Sequence, residues 1–225
     1  MPGYPTSPRP LRPSPREGHP ITTATQPGTP RRRSPIARAF LRAVDASRIT
    51  PNTVTIIGFL GICASAGLVV ARLWVLASLV FIASGLVDSL DGTLARYQGR
   101  STRFGAFLDS TLDRLAEGVI LGTLGFVYAQ DGTDWAVAAC FIALTGSFMV
   151  SYARARAEGL GIPGSSGGLM GRPERLVIIG AALFLGGLGT ITETMIAVLA
   201  GLSLMTAIHR ILIVWAASDA RAPRP

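Results

Sequence analysis

The chain has no lysine: all 21 of its basic residues are arginine, set against 13 acidic residues for a net charge of +8. Cysteine is almost absent. Cys63 and Cys140 lie in different apolar stretches without metal-ligand spacing, which excludes a disulfide framework and a zinc site and leaves both as small core residues. No nucleic-acid fold signature accompanies the positive charge, so no nucleic-acid partner is expected; anionic lipid and phosphate ligands account for it better. The first 34 residues contain no apolar signal-peptide core. No internal repeat is visible, which argues against a transporter built from repeated halves.

What is abundant is apolar length. Of 225 residues, 49% are hydrophobic, and several stretches approach the roughly 20 residues that cross a bilayer as a helix. The reading is an all-α integral membrane protein with spans at 53–70, 73–95, 104–129, 135–155, 176–188 and 191–214. The fifth stretch is short, and Arg172-Pro173 offers it an earlier start, because proline is tolerated in a first helical turn. Residues 1–34 hold nine of the 15 prolines and read as a disordered cytoplasmic tail. Residues 36–47 read as an interfacial amphipathic helix, with Ile36, Phe40, Leu41 and Val44 on one side. Residues 35–216 form the membrane domain and 217–225 a second cytoplasmic tail. Arginine sets the orientation. It clusters at 31–48, 96–103, 154–175 and 210–224, whereas only Arg72 falls in the opposite loops. Six spans in the cell membrane with both termini in the cytoplasm satisfy that bias.

The costly residues in this apolar background are carboxylates. Asp88 and Asp91 are three apart, and Asp109 and Asp113 four apart, so each pair shares one helix face. Gly92 and Gly105 lie on those faces, where a ligand or backbone can approach closely. A short connection near 98–102 lets the two acidic faces converge at the cytoplasmic side. Ionisable groups at membrane depth mark function, and four mutually repelling carboxylates need counter-charge. Arg96 and Arg114 alone are near. Hard divalent cations shared with phosphates fit such a cluster, and a two-metal site is the natural reading.

The run Asp88-x-x-Asp91-Gly92-x-x-Ala95-Arg96, eight residues, Gly105-x-x-x-Asp109-x-x-x-Asp113 resembles the signature of the CDP-alcohol phosphotransferase family at every specified position. The resemblance covers about residues 35–216. It implies transfer of a phosphate-linked group from a CDP-lipid to an alcohol with release of CMP. Asp88, Asp91, Asp109 and Asp113 would hold two Mg²⁺ ions, with Mn²⁺ as the alternative, and Asp113 would be the general base. The family's Thr-Pro-Asn turn places a nucleotide role on Pro51, Asn52 and Thr53. Gly92, Ala95, Arg96 and Gly105 would accommodate the CDP group. Family members are commonly homodimers, and Gly180, Gly186 and Gly187 would permit close helix packing.

Arg154, Arg172, Arg175 and Arg210 lie near cytoplasmic helix ends and could surround a second anionic ligand, since guanidinium binds phosphate in a bidentate manner. Ser151-Tyr152-x-Arg154-Ala-Arg156-Ala-Glu158, Arg172-Pro-Glu-Arg175 and a late arginine resemble the phosphatidylinositol phosphate synthase branch, with Arg154 where relatives carry lysine. The implied donor is CDP-diacylglycerol and the implied acceptor inositol phosphate. Phosphatidylglycerophosphate synthesis, or another CDP-alcohol transfer, is the alternative, and an ether-lipid donor fits equally. Glu117, four residues beyond Asp113, either orients the site or pairs with Arg114 or Arg156. His209 adjoins Arg210 and is weighed as an acceptor contact.

Overall fold

The computed structural model describes residues 50–97, 102–162 and 170–219. The side chains of residues 89–97 and 219 fall outside that description, as do the expected tail at 1–34, residues 220–225 of the tail expected at 217–225, the amphipathic helix at 36–47, and residues 98–101 and 163–169. Every regular element among the described residues is a helix, and there are no strands among them. They form α1 (Pro51–Val70), α2 (Trp74–Tyr97), α3 (Arg103–Gln130), α4 (Asp134–Gly159), α5 (Arg172–Phe184), a short 3₁₀ turn (Gly186–Leu188) and α6 (Thr190–Asp219).

The helix starts follow local chemistry. Thr50 caps α1, its hydroxyl accepting the Thr53 N–H at 3.3 Å, and Pro51 occupies the first turn. Thr102 caps α3 in the same way through the Gly105 N–H at 2.9 Å. At α5 the Glu174 carboxylate reaches back to the Gly171 N–H at 2.8 Å. The fifth apolar stretch departs from expectation. Its helix begins at Arg172 and ends at Phe184 after 13 residues, and it does not run on to 188. Three glycines at 186, 187 and 189 explain the break: Gly189 has φ +50°, and glycine is the residue least held to a helix.

Helix α3 lies deepest, with Ile120, Leu121, Leu124 and Val127 fully buried. It packs against α1 and α4; α4 packs on α6, α2 on α1 and α5, and α5 on α6. Small residues set the closest approaches. A Cβ on Gly146 would stand 2.9 Å from the Leu204 amide nitrogen, so α4 and α6 touch backbone to backbone there. Gly180 meets Ile82 and Phe81 of α2, and Gly186 lies under the Trp74 ring. These two glycines are therefore used within the protomer. Buried hydroxyls cross-link the helices: Ser65 donates to the Ala77 carbonyl at 2.7 Å and Ser78 to the Gly180 carbonyl at 2.9 Å.

One end of the bundle is fastened by loops. Arg72 meets Asp131 through two parallel bonds of 2.7 and 2.8 Å and lies 5.9 Å from the Trp74 ring centre. This arginine holds the Asp131 carboxyl below the ordinary carboxylate range, chiefly through that hydrogen bonding. The outer surface is apolar: Leu79, Leu86, Phe126, Val177 and Phe184 are all exposed. Helices α1, α4 and α6 are each long and apolar enough to cross a membrane. A surface of this kind belongs to a membrane protein, because lipid rather than water can cover it.

Candidate active site

The motif residues converge at the end of the bundle opposite the Arg72 loop. Asp88 lies late in α2, and Asp109 and Asp113 lie in the first turns of α3. One oxygen from each of these three carboxylates falls within 4.8 Å of the others, so the convergence expected from the helical spacing is present. Asp91, Gly92, Ala95 and Arg96 lie on the last turns of α2, and their side chains are outside the described residues. Helix α1 passes tightly behind the cluster: a Cβ on Gly58 would lie 3.3 Å from the Asp88 Cβ.

Counter-charge comes from an unexpected place. Arg172, at the start of α5, reaches Asp88 Oδ2 through Nη1 at 2.8 Å and Asp113 Oδ1 through Nη2 at 2.5 Å. Sequence reasoning placed Arg172 in a separate anion pocket and saw only Arg96 and Arg114 as nearby cations. The reason for the difference is tertiary. The loop after α4 returns α5 so that its first residue stands over the acids, and α5 presents its positive dipole end there as well.

The donor set suits a hard divalent cation. It offers only carboxylate oxygens, it concentrates like charge, and Asp113 Oδ1 is a buried acceptor without a hydrogen-bond partner among the described residues, its contact with Arg172 lacking hydrogen-bond geometry.

The four expected arginines do share one place. Arg154, Arg172, Arg175 and Arg210 line a cavity of about 190 Å³ that Asp113 also borders. Their states differ. Arg154 is exposed at the rim and pairs with Glu158 at 2.8 Å. Arg210 is buried, with Nη1 donating to the Val150 carbonyl at 2.8 Å. Arg175 is buried and bound to Glu117 through Nε and Nη2 at 3.3 and 2.9 Å. Glu117 therefore pairs with neither Arg114 nor Arg156; Arg114 instead donates to the Ser110 carbonyl and lines the cavity. His209 is exposed and is not part of the cavity wall.

Of the residues expected at the nucleotide, Pro51, Asn52, Thr53 and Gly105 are described with their side chains and lie close together. Asn52, in the first turn of α1, faces Gly105 of α3, where a Cβ would stand 2.9 Å from Asn52 Oδ1. Pro51 and Thr53 flank it, the Pro51 carbonyl accepting the Thr55 hydroxyl at 3.1 Å and the Thr53 hydroxyl meeting that of Thr50 at 2.9 Å.

Comparison with known proteins agrees with this geometry. The CDP-alcohol phosphatidyltransferase family profile matches residues 48–218. The chain is 37% identical over 187 residues to the archaetidylinositol phosphate synthase of Methanothermobacter thermautotrophicus, covering 80% of this chain and 91% of that one. It is 40% identical over 188 residues to the phosphatidylinositol phosphate synthase of Mycobacteroides abscessus, covering 79% and 80%. The fold is similar to the Mycobacterium tuberculosis phosphatidylinositol phosphate synthase crystallised with CDP-DAG bound, with TM-score 0.76 and 30% identity over 85% of this chain and 100% of that one. The same enzyme solved with manganese and citrate superposes with TM-score 0.74 and 31% identity, covering 84% and 93%. With the complete motif, the carboxylate cluster and this match in hand, the chain belongs to the CDP-alcohol phosphatidyltransferase family and is a transferase whose clustered carboxylates could hold a divalent metal.

Proposed function

We propose that the protein transfers a phosphatidyl group from CDP-diacylglycerol to inositol phosphate, releasing CMP and forming phosphatidylinositol phosphate. The observation that carries this reading is one continuous site. Three carboxylates each place an oxygen within 4.8 Å of the others, and one of them, Asp113, also borders a cavity lined by five arginines, the four expected ones and Arg114. Relatives named for phosphatidylinositol phosphate and archaetidylinositol phosphate synthesis support the acceptor. The archaeal relative also favours a second reading in which the donor carries an archaetidyl group.

In this reading Asp88, Asp91, Asp109 and Asp113 hold two divalent ions, Mg²⁺ or Mn²⁺. When bound, these supply charge neutralisation for the diphosphate and the departing CMP. Pro51, Asn52 and Thr53 seat the nucleotide together with Gly92, Ala95, Arg96 and Gly105. The close approach of Asn52 to Gly105 supports that grouping, because a side chain at 105 would fill the cleft. Arg154, Arg172, Arg175 and Arg210 take the acceptor's phosphate. The acceptor hydroxyl oxygen forms a bond to the lipid-bearing phosphorus while the bond to the CMP oxygen breaks. Asp113 borders both the acid cluster and the cavity, and it accepts the hydroxyl proton.

The same reading places six spans in the cell membrane with the site and both termini in the cytoplasm. Exposed apolar side chains on α2, α3 and α5 support it alongside the longer spans. The membrane domain is 35–216, flanked by cytoplasmic tails. Homodimerisation is part of the reading by family resemblance, through a face other than Gly180 and Gly186.

The test is CMP release by purified protein with CDP-diacylglycerol and Mg²⁺, comparing inositol 1-phosphate with glycerol 3-phosphate. Turnover with inositol phosphate alone, lost in Asp113→Asn, is the expected result. Turnover with glycerol phosphate instead would reassign the acceptor to phosphatidylglycerophosphate synthesis. Activity that survives Asp113→Asn would remove the proposed base.

A further inference from the structure

One helical turn beyond the acid cluster, α3 and α5 carry a second ion pair. Glu117 follows Asp113 by four residues and Arg175 follows Arg172 by three, so the pairs Asp113–Arg172 and Glu117–Arg175 form two successive rungs between the same helices. The deeper rung is closed to solvent, Glu117 and Arg175 each being 4% exposed. Both Glu117 oxygens are committed: Oε1 accepts Nε and Nη2 of Arg175, and Oε2 accepts the hydroxyl of Ser147 on α4. A buried carboxylate is costly unless paired and hydrogen-bonded in this way.

The pair does more than neutralise. Arg175 also lines the anion cavity. Glu117 uses two of its three guanidinium nitrogens, and Nη1 is outside the pair. A free arginine side chain loses considerable rotamer freedom when it grips an anion, whereas one already held by two bonds to a carboxylate does not. We propose that Glu117 is a positioning residue for the acceptor substrate: with Ser147 behind it, it fixes the Arg175 guanidinium in one orientation at the cavity wall. The ligand addressed is a phosphate monoester on the acceptor. The inference rests on the reading of the arginine cavity as the acceptor pocket.

The experiment compares the wild-type full-length chain with Glu117→Gln and Ser147→Ala by steady-state kinetics in detergent or vesicles, and by calorimetric titration with inorganic phosphate. Glu117→Gln keeps the side-chain shape but removes the charge that orders Arg175. Its KM for inositol phosphate should rise about tenfold, with KM for CDP-diacylglycerol within about twofold of wild type and kcat reduced far less. Ser147→Ala should shift the acceptor KM in the same direction by about threefold, and it carries the test if Glu117→Gln fails to fold. Inorganic phosphate should bind correspondingly more weakly to both variants. Unchanged acceptor KM and phosphate affinity would overturn the proposal, as would equal losses for both substrates, the mark of a merely structural residue. If the wild type turns over no inositol phosphate, the functional reading fails instead, and the phosphate titration still decides whether Glu117 orders the pocket. Absence of phosphate binding in the wild type would overturn both.

Discussion

Arg172 stands where a divalent cation is expected to act, and replacing it should change how the protein responds to metal. Its guanidinium contacts Asp88 at 2.8 Å and Asp113 at 2.5 Å, while its side chain is 30% exposed and the two carboxylates 11% and 12%. At an effective dielectric of about 20, unit charges about 4 Å apart attract by about 4 kcal/mol, so two such contacts amount to about 8 kcal/mol before costs. Desolvation and partial water access offset most of this. The net loss for Arg172→Gln without metal should be about 2–3 kcal/mol, short of the roughly 3–5 kcal/mol for breaking a fully buried pair. On the scaling of about 2–4 °C per kcal/mol for chains of this size, the midpoint of thermal unfolding should fall by about 4–12 °C in EDTA. Saturating Mn²⁺ should recover most of that loss, because a bound cation replaces the missing charge and no longer competes with Arg172 for the carboxylates. The Mn²⁺-induced rise should therefore be larger in Arg172→Gln than in the wild type. Intrinsic tryptophan fluorescence during thermal unfolding, with EDTA and with Mn²⁺, measures all four midpoints. Equal midpoints in EDTA, or a smaller Mn²⁺ increment in the variant, would refute the counter-ion argument.

Three further outcomes follow from other parts of the structure. Gly146→Ala forces a Cβ to within 2.9 Å of the Leu204 amide nitrogen; overpacking of backbone against backbone should cost about 1–3 kcal/mol, read as a lowered unfolding midpoint. Gly105→Ala places a methyl 2.9 Å from Asn52 Oδ1 and should raise KM for the CDP-lipid about fivefold, roughly 1 kcal/mol, while the acceptor KM stays unchanged. Asp131→Asn removes the exposed pair with Arg72 and should cost under about 1 kcal/mol at neutral pH. Because the folded state lowers the Asp131 pKa, that contribution is complete above the unfolded value of about 3.9. It is lost as pH falls through the lower folded value, so wild type and variant should converge in acid.

Much of the fold was legible because membrane length and helix period are written locally. The first and third spans, expected from 53 and 104, begin at Pro51 and Arg103, within two residues, with Thr50 and Thr102 as their caps. The aspartate spacing placed Asp109 and Asp113 on one face and aimed it at Asp88, which the cluster bears out. The end of α5 was less legible. Val177 to Leu188 is apolar almost throughout, and hydropathy does not distinguish a helix from a glycine-broken turn when both are apolar. The glycines at 186, 187 and 189 were the available signal, and they end the helix.

Partner choice among the charges was the least legible feature. Arg172 and Glu117 found partners on other helices, Glu117 with Arg175 58 residues away. Of the candidates weighed from sequence, Arg114 shares the helix face and the cavity with Glu117 but donates instead to the Ser110 carbonyl, and Arg156 makes no pair with Glu117. Yet the spacings hold the missing signal. On α3 an acid at 113 is followed four residues later by an acid at 117; on α5 an arginine at 172 is followed three residues later by an arginine at 175. Each separation advances about one turn along a helix, so one relative placement of α3 and α5 satisfies both pairs at once. Helices α3 and α5 otherwise pack on different neighbours, α3 on α1 and α4 and α5 on α2 and α6, so the two ion pairs are what ties α5 to α3. The same pairs bring Arg172 to the carboxylate cluster and hold Arg175 at the cavity wall, so the contacts that link the helices are also the ones that assemble the site.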